Sequence, residues 1–265
     1  MSRLVARMNK LYAVAVLLAL PTVPVGAGDL TLSSGLDYSS GKYGASQSTE
    51  IWYVPLTAKY ETGASTFKLT VPYVRISAPA GGNLIGVDAQ GRPIYDGTGA
   101  RASQEGMGDV VASFSYSLFA QPVNGFLLDL TGKAKLGTAD VGKGLGTGEN
   151  DYTVLADLYY LAGAWTPFAT VSYRFTGDPA GRDLKNVWGG TLGLGYKQSA
   201  ENSLGLMWDS RQASTATGVA GNDATAYWVH KFGGGMKLQA YAVKGFSDGS
   251  ADWGLGAMFS KTFDK

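Results

Sequence analysis

The sequence predicts an all-β fold, a transmembrane antiparallel up-and-down β-barrel of about 12 strands after a cleavable signal peptide. Three observations predict it. Apolar and polar residues alternate in segment after segment, short and long connections alternate between these segments, and aromatic residues gather at the two ends of the segments. All three are typical of a barrel whose strands face lipid on one side and a polar lumen on the other.

The first 27 residues have the pattern of a signal peptide. Three basic residues precede the uncharged apolar run Leu11–Leu20, and the small residues Val25–Ala27 supply a cleavage site. A helix needs roughly 20 apolar residues to span a bilayer, so this run is too short. An N-terminal anchor helix is the alternative. We therefore divide the chain into a signal peptide (1–27) and an outer-membrane β-barrel (28–265).

The composition supports this class of protein. The chain has 38 Gly, 15 Tyr and 6 Trp, and only 16% of its residues are charged. It has no cysteine, so a secreted form carries no disulfide. Without the signal peptide the chain has 19 basic and 21 acidic residues, a net charge of −2. A nucleic-acid binder needs a basic surplus, so we expect no nucleic-acid partner.

Period-2 alternation predicts twelve strands. In Leu128–Leu136, for example, the apolar residues share one face and Asp129, Lys133 and Lys135 share the other. The predicted strands are 30–38, 50–60, 65–76, 109–119, 126–136, 151–160, 165–175, 187–197, 203–211, 224–232, 236–246 and 251–263.

The connections between these strands alternate in length. The short ones begin after strands two, four, six, eight and ten, and the long ones are 39–49, 77–108, 137–150, 176–186, 212–223 and the briefer 247–250. Outer-membrane barrels have short periplasmic turns and long extracellular loops, so both ends of the barrel domain are expected on the periplasmic side. A soluble β-sandwich has no reason to keep this alternation.

Aromatic residues on the outward phase are expected to form two girdles at the membrane interfaces. Their simple abundance in strands is the alternative explanation. The predicted periplasmic girdle is Tyr60, Phe67, Tyr160, Trp165, Tyr196, Phe232 and Phe263, and the predicted outer girdle is Tyr38, Trp52, Tyr73, Tyr152, Phe175, Trp188 and Trp253.

The opposite phase of the strands carries charges of both signs. A Lys or Arg at mid-depth in lipid costs about 2–4 kcal/mol, so these residues are assigned to the lumen. They either line a small pore, as candidate substrate-binding residues, or form a salt-bridged filling that holds the barrel rigid. The candidates are Asp37, Lys59, Lys68, Asp109, Asp129, Lys133, Lys135, Asp157, Arg174, Asp209, Arg211, Lys237 and Asp252.

The longest connection, 77–108, contains the apolar islands Gly81–Val87 and Arg92–Asp96. Such islands predict a folded loop, either a hairpin or an inward constriction, rather than a flexible tether. Packing at the solvent-exposed surface without a ligand role is the alternative.

Catalytic patterns are scarce. The single histidine, His230, has no motif around it, and no Cys/His spacing suits a metal. The glycine-rich stretch Gly142–Gly148 has no Gly-Lys-Ser/Thr element and no helix after it, so it is a surface loop rather than a phosphate loop. We therefore expect no enzyme activity, no metal and no cofactor.

Several short motifs resemble one family. The segments Asp37–Gly44 and Ser48–Leu56 are similar to the opening of the outer-membrane proteins named "meta-pathway of phenol degradation". Gly106–Val110 resembles that family's Gly-x-Gly-Asp element. Lys135–Thr138 and Gly144–Gly148 resemble its Lys-Leu-Pro-Thr and Gly-x-Gly-Thr-Gly elements, although Gly137 stands where the family often has Pro. The resemblance implies a transporter-like outer-membrane barrel, sometimes associated with uptake of aromatic compounds, without catalytic residues.

Two functions follow from the sequence. The first is a channel or transporter for small molecules, with aromatic or hydrophobic molecules as candidates, across the bacterial outer membrane. The second is a closed barrel with a structural or surface-interaction role and a salt-bridged lumen. In both, the surrounding partner is outer-membrane lipid, and the sequence does not fix the oligomeric state.

Overall fold

Strands dominate the part of the chain that the computed structural model describes, residues 28–81, 83–119 and 122–263. The predicted signal peptide (1–27) lies outside the described residues. The described helical structure is one 3-10 turn, Val141–Lys143, and no described helix has the length and apolarity that crossing a membrane requires. The strands are β1 Asp29–Gly41, β2 Thr49–Thr62, β3 Ser65–Pro79, β4 Asn83–Val87, β5 Pro93–Asp96, β6 Arg101–Met107, β7 Val110–Ser117, β8 Phe126–Leu136, β9 Asp151–Tyr160, β10 Trp165–Phe175, β11 Val187–Lys197, β12 Asn202–Arg211, β13 Gly221–Lys231, β14 Met236–Gly245 and β15 Trp253–Phe263.

The sheet closes on itself. Each strand of the wall pairs antiparallel with its neighbours in sequence, and β1 pairs with β15 from Leu30↔Phe263 to Ser40↔Trp253. β6 and β7 both pair with β3. β6 pairs with its C-terminal half and β7 with its N-terminal half, so together they fill one position in the wall. The wall therefore has twelve positions, which confirms the predicted strand count and the antiparallel barrel.

The period-2 pattern places apolar side chains outside and polar ones inside. Leu192 and Leu206, in the middle of neighbouring strands, are 67% and 64% exposed on the outer face. Their neighbours Thr191 and Met207 point into the lumen and line a cavity there. Because antiparallel strands alternate sides at every residue, this arrangement leaves a continuous apolar belt around the barrel.

The turns at the periplasmic end of the barrel are short, as predicted. Gly63 and Gly163 sit in two of them with φ of 56° and 66°. A Cβ at either position meets nothing within 4 Å, so the requirement for glycine is the left-handed backbone rather than space. The long connections all lie at the opposite end, which is the extracellular end in an outer-membrane barrel.

Aromatic side chains cluster at both ends of the outer face. At the extracellular end Tyr38 packs between Trp52 and Trp253, with ring centroids 4.6 and 5.1 Å apart. At the periplasmic end Trp165 packs on Tyr196 at 4.5 Å. These pairs lie at the two ends assigned to them, and the positions suit the two interfaces of a bilayer.

The connection predicted as one long loop, 77–108, is mostly strand. β3 continues to Pro79, β6 returns beside it, and β4 and β5 form a separate hairpin between them. The apolar islands of this segment form the hairpin. Predicted strand four, 109–119, is correspondingly shorter as β7 and is extended by β6 beyond a break at Gly108 and Asp109.

An arginine placed on the apolar belt is expected to destabilise the barrel. Leu206→Arg puts a charge at mid-strand in lipid and should lower the free energy of unfolding by about 2–4 kcal/mol. The matched control is Met207→Arg, one residue along β12, where the guanidinium reaches the lumen. Denaturant unfolding in lipid vesicles measures both. Equal losses for the two variants would contradict the assignment of faces.

Candidate functional site

The β4–β5 hairpin folds into the extracellular half of the lumen and docks on an apolar patch of the wall. Ile94 of the hairpin is 3% exposed and belongs to one cluster with Ile51, Val74 and Ile76 of β2 and β3. Leu145 of the loop after β8 completes the cluster from above. Burial of these side chains, at about 25 cal/mol per Å² of apolar surface, holds the hairpin inside the barrel.

The tip of the hairpin is a turn built on Asp88 and Arg92. One Asp88 carboxylate oxygen accepts hydrogen bonds from the backbone N–H of Gln90 at 2.9 Å and of Arg92 at 2.8 Å. The other lies 2.5 Å from the Arg92 Nε. The same guanidinium lies 3.7 Å from Asp37 of β1 and 5.5 Å from the ring centroid of Tyr53. Arg92 therefore joins the turn to the barrel wall.

The electrostatics of this turn keep Arg92 charged. Burial lowers the pKa of the guanidinium, but Asp88, Tyr43 and Asp37 raise it by more, so the net shift is upward. The loop residue Tyr43 lies beside the same turn. Burial raises the pKa of its phenol far above the ordinary value, and the Asp88 carboxylate adds to the shift. Tyr43 thus stays a neutral hydroxyl next to a fixed ion pair.

A second group of charges lies beside the hairpin tip, on β8, on β9 and at the break before β7. Lys135 of β8 lies 3.0 Å from Asp109 and 3.4 Å from Asp151, and all three side chains are less than a tenth exposed. Gly91 of the turn lies against this group, because a Cβ there would be 2.9 Å from the Asp151 carboxylate. With φ of 79°, Gly91 is required both by the backbone and by this close approach.

Arg211 fixes the loop before β15. Its guanidinium lies 2.9 Å from the Asp223 carboxylate and donates to the Gly249 carbonyl at 2.8 Å. Ser250, which is 1% exposed, donates to the same carboxylate at 3.0 Å. This network closes part of the extracellular rim over the lumen.

Three carboxylates in the wall are held by hydroxyl groups instead of cations. Ser117 donates to Asp129 at 2.6 Å, Thr170 to Asp157 at 2.5 Å and Thr191 to Asp209 at 2.5 Å. In each case the donor is on the neighbouring strand at the paired register position. Hydrogen bonds of this kind stabilise an ionised carboxylate without neutralising it.

Two cavities flank the hairpin tip. The larger, about 460 Å³, is lined by Asp88, Ala89, Gln90 and Arg92 of the tip and by the wall from β10 through β15 to β1, including Tyr227 and Tyr241. The smaller, about 190 Å³, lies between the tip and the wall formed by β2, β3, β7 and β8. Tyr241 donates to Asp37 at 2.7 Å, so phenol and carboxylate meet at the edge of the larger cavity. The hairpin therefore narrows the lumen and leaves space on both sides.

Most of the predicted lumen residues lie where the alternation puts them. Asp109 is at the break between β6 and β7 and faces Lys135. Asp252 lies outside β15, exposed in the preceding loop, because this strand starts two residues later than predicted. The other eleven lie on the inward phase of their strands, namely Asp37, Lys59, Lys68, Asp129, Lys133, Lys135, Asp157, Arg174, Asp209, Arg211 and Lys237.

Sequence reasoning missed several charged lumen residues, among them Asp88, Arg92, Asp151 and Asp223. Asp88 and Arg92 lie in the connection 77–108, where no strand was predicted and alternation therefore could not assign a face. Asp151 shares the phase of Asp157 in predicted strand six, so alternation alone identifies it. Asp223 was missed because the predicted strand began one residue later, at Ala224.

The single histidine does not face the lumen. His230 is on the outward phase of β13 between Trp228 and Phe232, with ring centroids 5.6 and 4.5 Å away, and its Nδ1 lies 2.9 Å from Asn202 Oδ1. Gly142–Gly148 packs as a loop whose Leu145 joins the apolar cluster. Within the described residues, no group of three or more His, Cys, Asp or Glu side chains is arranged to hold a metal.

Solved structures of the same fold are outer-membrane barrels. An outer membrane channel from Pseudomonas putida F1 is similar over 91% of this chain and 97% of that one, with a TM-score of 0.65 and 15% identity. The NanC porin is similar over 88% of this chain and 99% of its own, with a TM-score of 0.53 and 8% identity. The translocator domain of the autotransporter NalP from Neisseria meningitidis is similar over 98% of this chain and 96% of its own, with a TM-score of 0.50 and 11% identity.

The sequence itself matches no protein-family model and no curated protein. The resemblance to the phenol-degradation family therefore stays a hypothesis. The closed twelve-position wall, the apolar belt, the aromatic girdles and the shared fold agree with one another. The chain is a bacterial outer-membrane β-barrel.

Loss of the Arg92 charge is expected to release the hairpin. Arg92→Met leaves Asp88 and Asp37 buried without their cation, and breaking a buried pair in this way costs about 3–5 kcal/mol. Hydrogen exchange of residues 83–96 in lipid should speed up, and Arg92→Met with Asp88→Asn should restore part of the protection. Arg101→Met is the control, since its pair with Glu50 is more than a third exposed. Such pairs contribute about 0–1 kcal/mol. Unchanged exchange in Arg92→Met would contradict the anchoring role.

Proposed function

We propose that this barrel is a channel that lets small molecules cross the outer membrane, with the β4–β5 hairpin as its constriction. The observation that supports the proposal is the pair of cavities, about 460 and 190 Å³, that flank the hairpin tip inside the closed wall. Twelve strands enclose more room than eight, which side chains fill alone, and less than the sixteen of wide porins. The hairpin reduces this room to the size of small solutes.

The lining of the larger cavity suggests which solutes fit. Tyr43, Tyr227 and Tyr241 supply aromatic surface with hydroxyl groups, and the carboxylates and guanidinium of Asp37, Asp88 and Arg92 supply charge. Ligand sites combine apolar and aromatic walls with a few placed polar groups. We therefore propose small molecules that carry an aromatic or apolar part together with a polar group as the solutes of this channel.

The second candidate function is a closed barrel with a structural or surface-interaction role. The buried ion pairs of Lys135 and Arg211 and the hydroxyl-bound carboxylates favour a rigid lumen. The two functions differ in one measurable property, which is whether solute passes the hairpin. For both functions we propose that residues 1–27 direct export and that outer-membrane lipid surrounds the barrel.

Removal of the constriction is expected to raise the conductance. In a planar bilayer the wild-type barrel should show small single-channel currents. Replacing residues 84–95 by a short Gly-Ser linker should raise them several-fold, because the hairpin tip occupies the middle of the lumen. A liposome-swelling assay with small sugars measures the same change for neutral solutes.

A second variant covers the case in which the shortened loop impairs folding. Arg92→Met frees the tip and leaves the apolar contacts of Ile94 in place, so it should raise conductance less than the linker variant. Heat-modifiable mobility on gels shows whether each barrel is folded. If the wild-type and both folded variants pass neither ions nor sugars, the channel proposal is wrong and the closed barrel is supported.

A further inference from the structure

One row of the hydrogen-bonded wall carries four cations. Following the register from strand to strand, Lys59 of β2 pairs with Lys68 of β3, which pairs with Ser113 of β7. The row continues through Lys133, Thr153 and Arg174 of β8, β9 and β10. We name Lys59, Lys68, Lys133 and Arg174 the basic row. All four lie on the inward phase of their strands.

The basic row crosses the membrane. Lys68 is near the periplasmic start of β3, at Ser65, and Arg174 is one residue from the extracellular end of β10, at Phe175. The row rises because barrel strands are tilted, so a line of hydrogen-bonded partners winds upward around the wall. Adjacent strands are about 4.8 Å apart, so Lys68, Lys133 and Arg174 follow one another at about 10 Å.

Within the described residues, three of these cations have no ion-pair partner. Lys68, Lys133 and Arg174 form no ion pair there, whereas Lys59 lies 2.6 Å from Glu61. Among the described residues Arg174 donates only to the Asp88 carbonyl, at 3.4 Å, and its Nε is buried with no partner there. An unsatisfied guanidinium N–H is costly in a protein interior, so this position is poised to accept an anion.

Four carboxylates of the lumen lie away from this row. A second row carries Asp129, Asp157, Asp209 and Asp223, four residues along each shared strand. At about 3.3 Å per residue the two rows are roughly 13 Å apart. Hydroxyl groups or Arg211 hold each of these four carboxylates.

The carboxylates nearer the basic row are fully engaged. Asp109 and Asp151 share Lys135 and also accept from the backbone N–H groups of Ala139 and Gly177. Asp88 accepts from two backbone N–H groups and from Arg92. Their side chains are less than a tenth exposed, while Lys68 is exposed to the lumen. The accessible charge on this wall is therefore mainly positive, apart from Glu61, which lies beside Lys59 and is 43% exposed.

The smaller cavity lies on the basic row. Lys68 and Lys133 both line it, and Ser113 lies between them on the row. Thr70 also lines it, with its hydroxyl hydrogen-bonded to that of Thr57 at 2.9 Å. Gln90 and Gly91 of the hairpin tip close its opposite side. The Lys68 and Lys133 ammonium groups and the Ser113 hydroxyl around about 190 Å³ match a small oxyanion, either a carboxylate or a phosphate, because the Asp109 carboxylate that also lines the cavity is paired with Lys135.

We propose that the basic row is an oxyanion-selective path through the lumen and that the cavity between Lys68 and Lys133 is its binding point. This inference rests on the proposed channel function and adds the charge class of its solutes. An anion enters beside Arg174, rests between Lys133 and Lys68 and leaves at Lys59. Steps of about 10 Å are near the Debye length at 0.1 M salt, so the attraction of successive cations overlaps and the anion is not trapped at one.

The ion selectivity tests this path. In a planar bilayer under a KCl gradient, the reversal potential gives the ratio of chloride to potassium permeability, and the wild-type barrel should prefer chloride. Lys68→Gln with Lys133→Gln should lower that ratio by roughly threefold or more, because the positive potential that concentrates anions is lost. Lys244→Gln is the matched control, since it removes one charge on the outward phase at the extracellular end of β14.

Phosphate binding provides a second readout that does not depend on conduction. Isothermal titration of the detergent-solubilised barrel with inorganic phosphate should show binding in the wild type and in Lys244→Gln, and none in the double variant. Binding without any conductance would overturn the channel and leave the anion site standing. Conductance with no chloride preference, together with equal phosphate titrations in all three proteins, would overturn the anion path and leave the channel. Absence of both conductance and phosphate binding would overturn both.

Discussion

Closure of the sheet between its first and last strands is the interaction on which the rest of this structure depends. In lipid an unpaired backbone N–H or C=O costs several kcal/mol, so a sheet that crosses a membrane has no stable edge. The eleven register pairs between β1 and β15 remove that edge. Closure also fixes an inside and an outside, and every later feature follows from this division. Leu206 faces lipid and Lys133 faces the lumen because successive side chains of a strand point to opposite faces of the closed sheet.

The division explains how the hairpin is held. A lumen lined only by polar groups offers no apolar surface to a loop. The extracellular half of β2 and β3, however, carries Ile51, Val74 and Ile76 on the side that faces the lumen. This patch breaks the polar pattern of the interior and is covered by Ile94 of the hairpin. The Asp88–Arg92 turn then sets how deep the hairpin lies, because its guanidinium contacts Asp37 on the wall. Apolar burial holds the hairpin on the wall, and the contact between Arg92 and Asp37 fixes its position.

Much of this architecture is predictable from the sequence, and the reason is local. Alternation within ten residues identifies both faces of a strand, so strands such as Phe126–Leu136 and Trp165–Phe175 are placed to the residue. The hairpin is predictable only as a folded loop, because its docking joins residues that are far apart in the chain, such as Ile94 and Ile51. The basic row is harder still. It exists only once the register of six wall positions is known, and single-strand patterns contain no information about register between strands.

The unpaired cations of the basic row distinguish the two kinds of charge in this lumen. A charge that serves only structure is stabilised by a partner, as Lys135, Arg92 and Arg211 are by carboxylates. Lys68, Lys133 and Arg174 repel one another and gain no such partner, so for stability alone a neutral side chain would serve better at each position. Three neighbouring exceptions along one continuous row cannot be attributed to the packing of any single strand. Their arrangement has a simple physical use if an anion from solution supplies the missing charge as it passes.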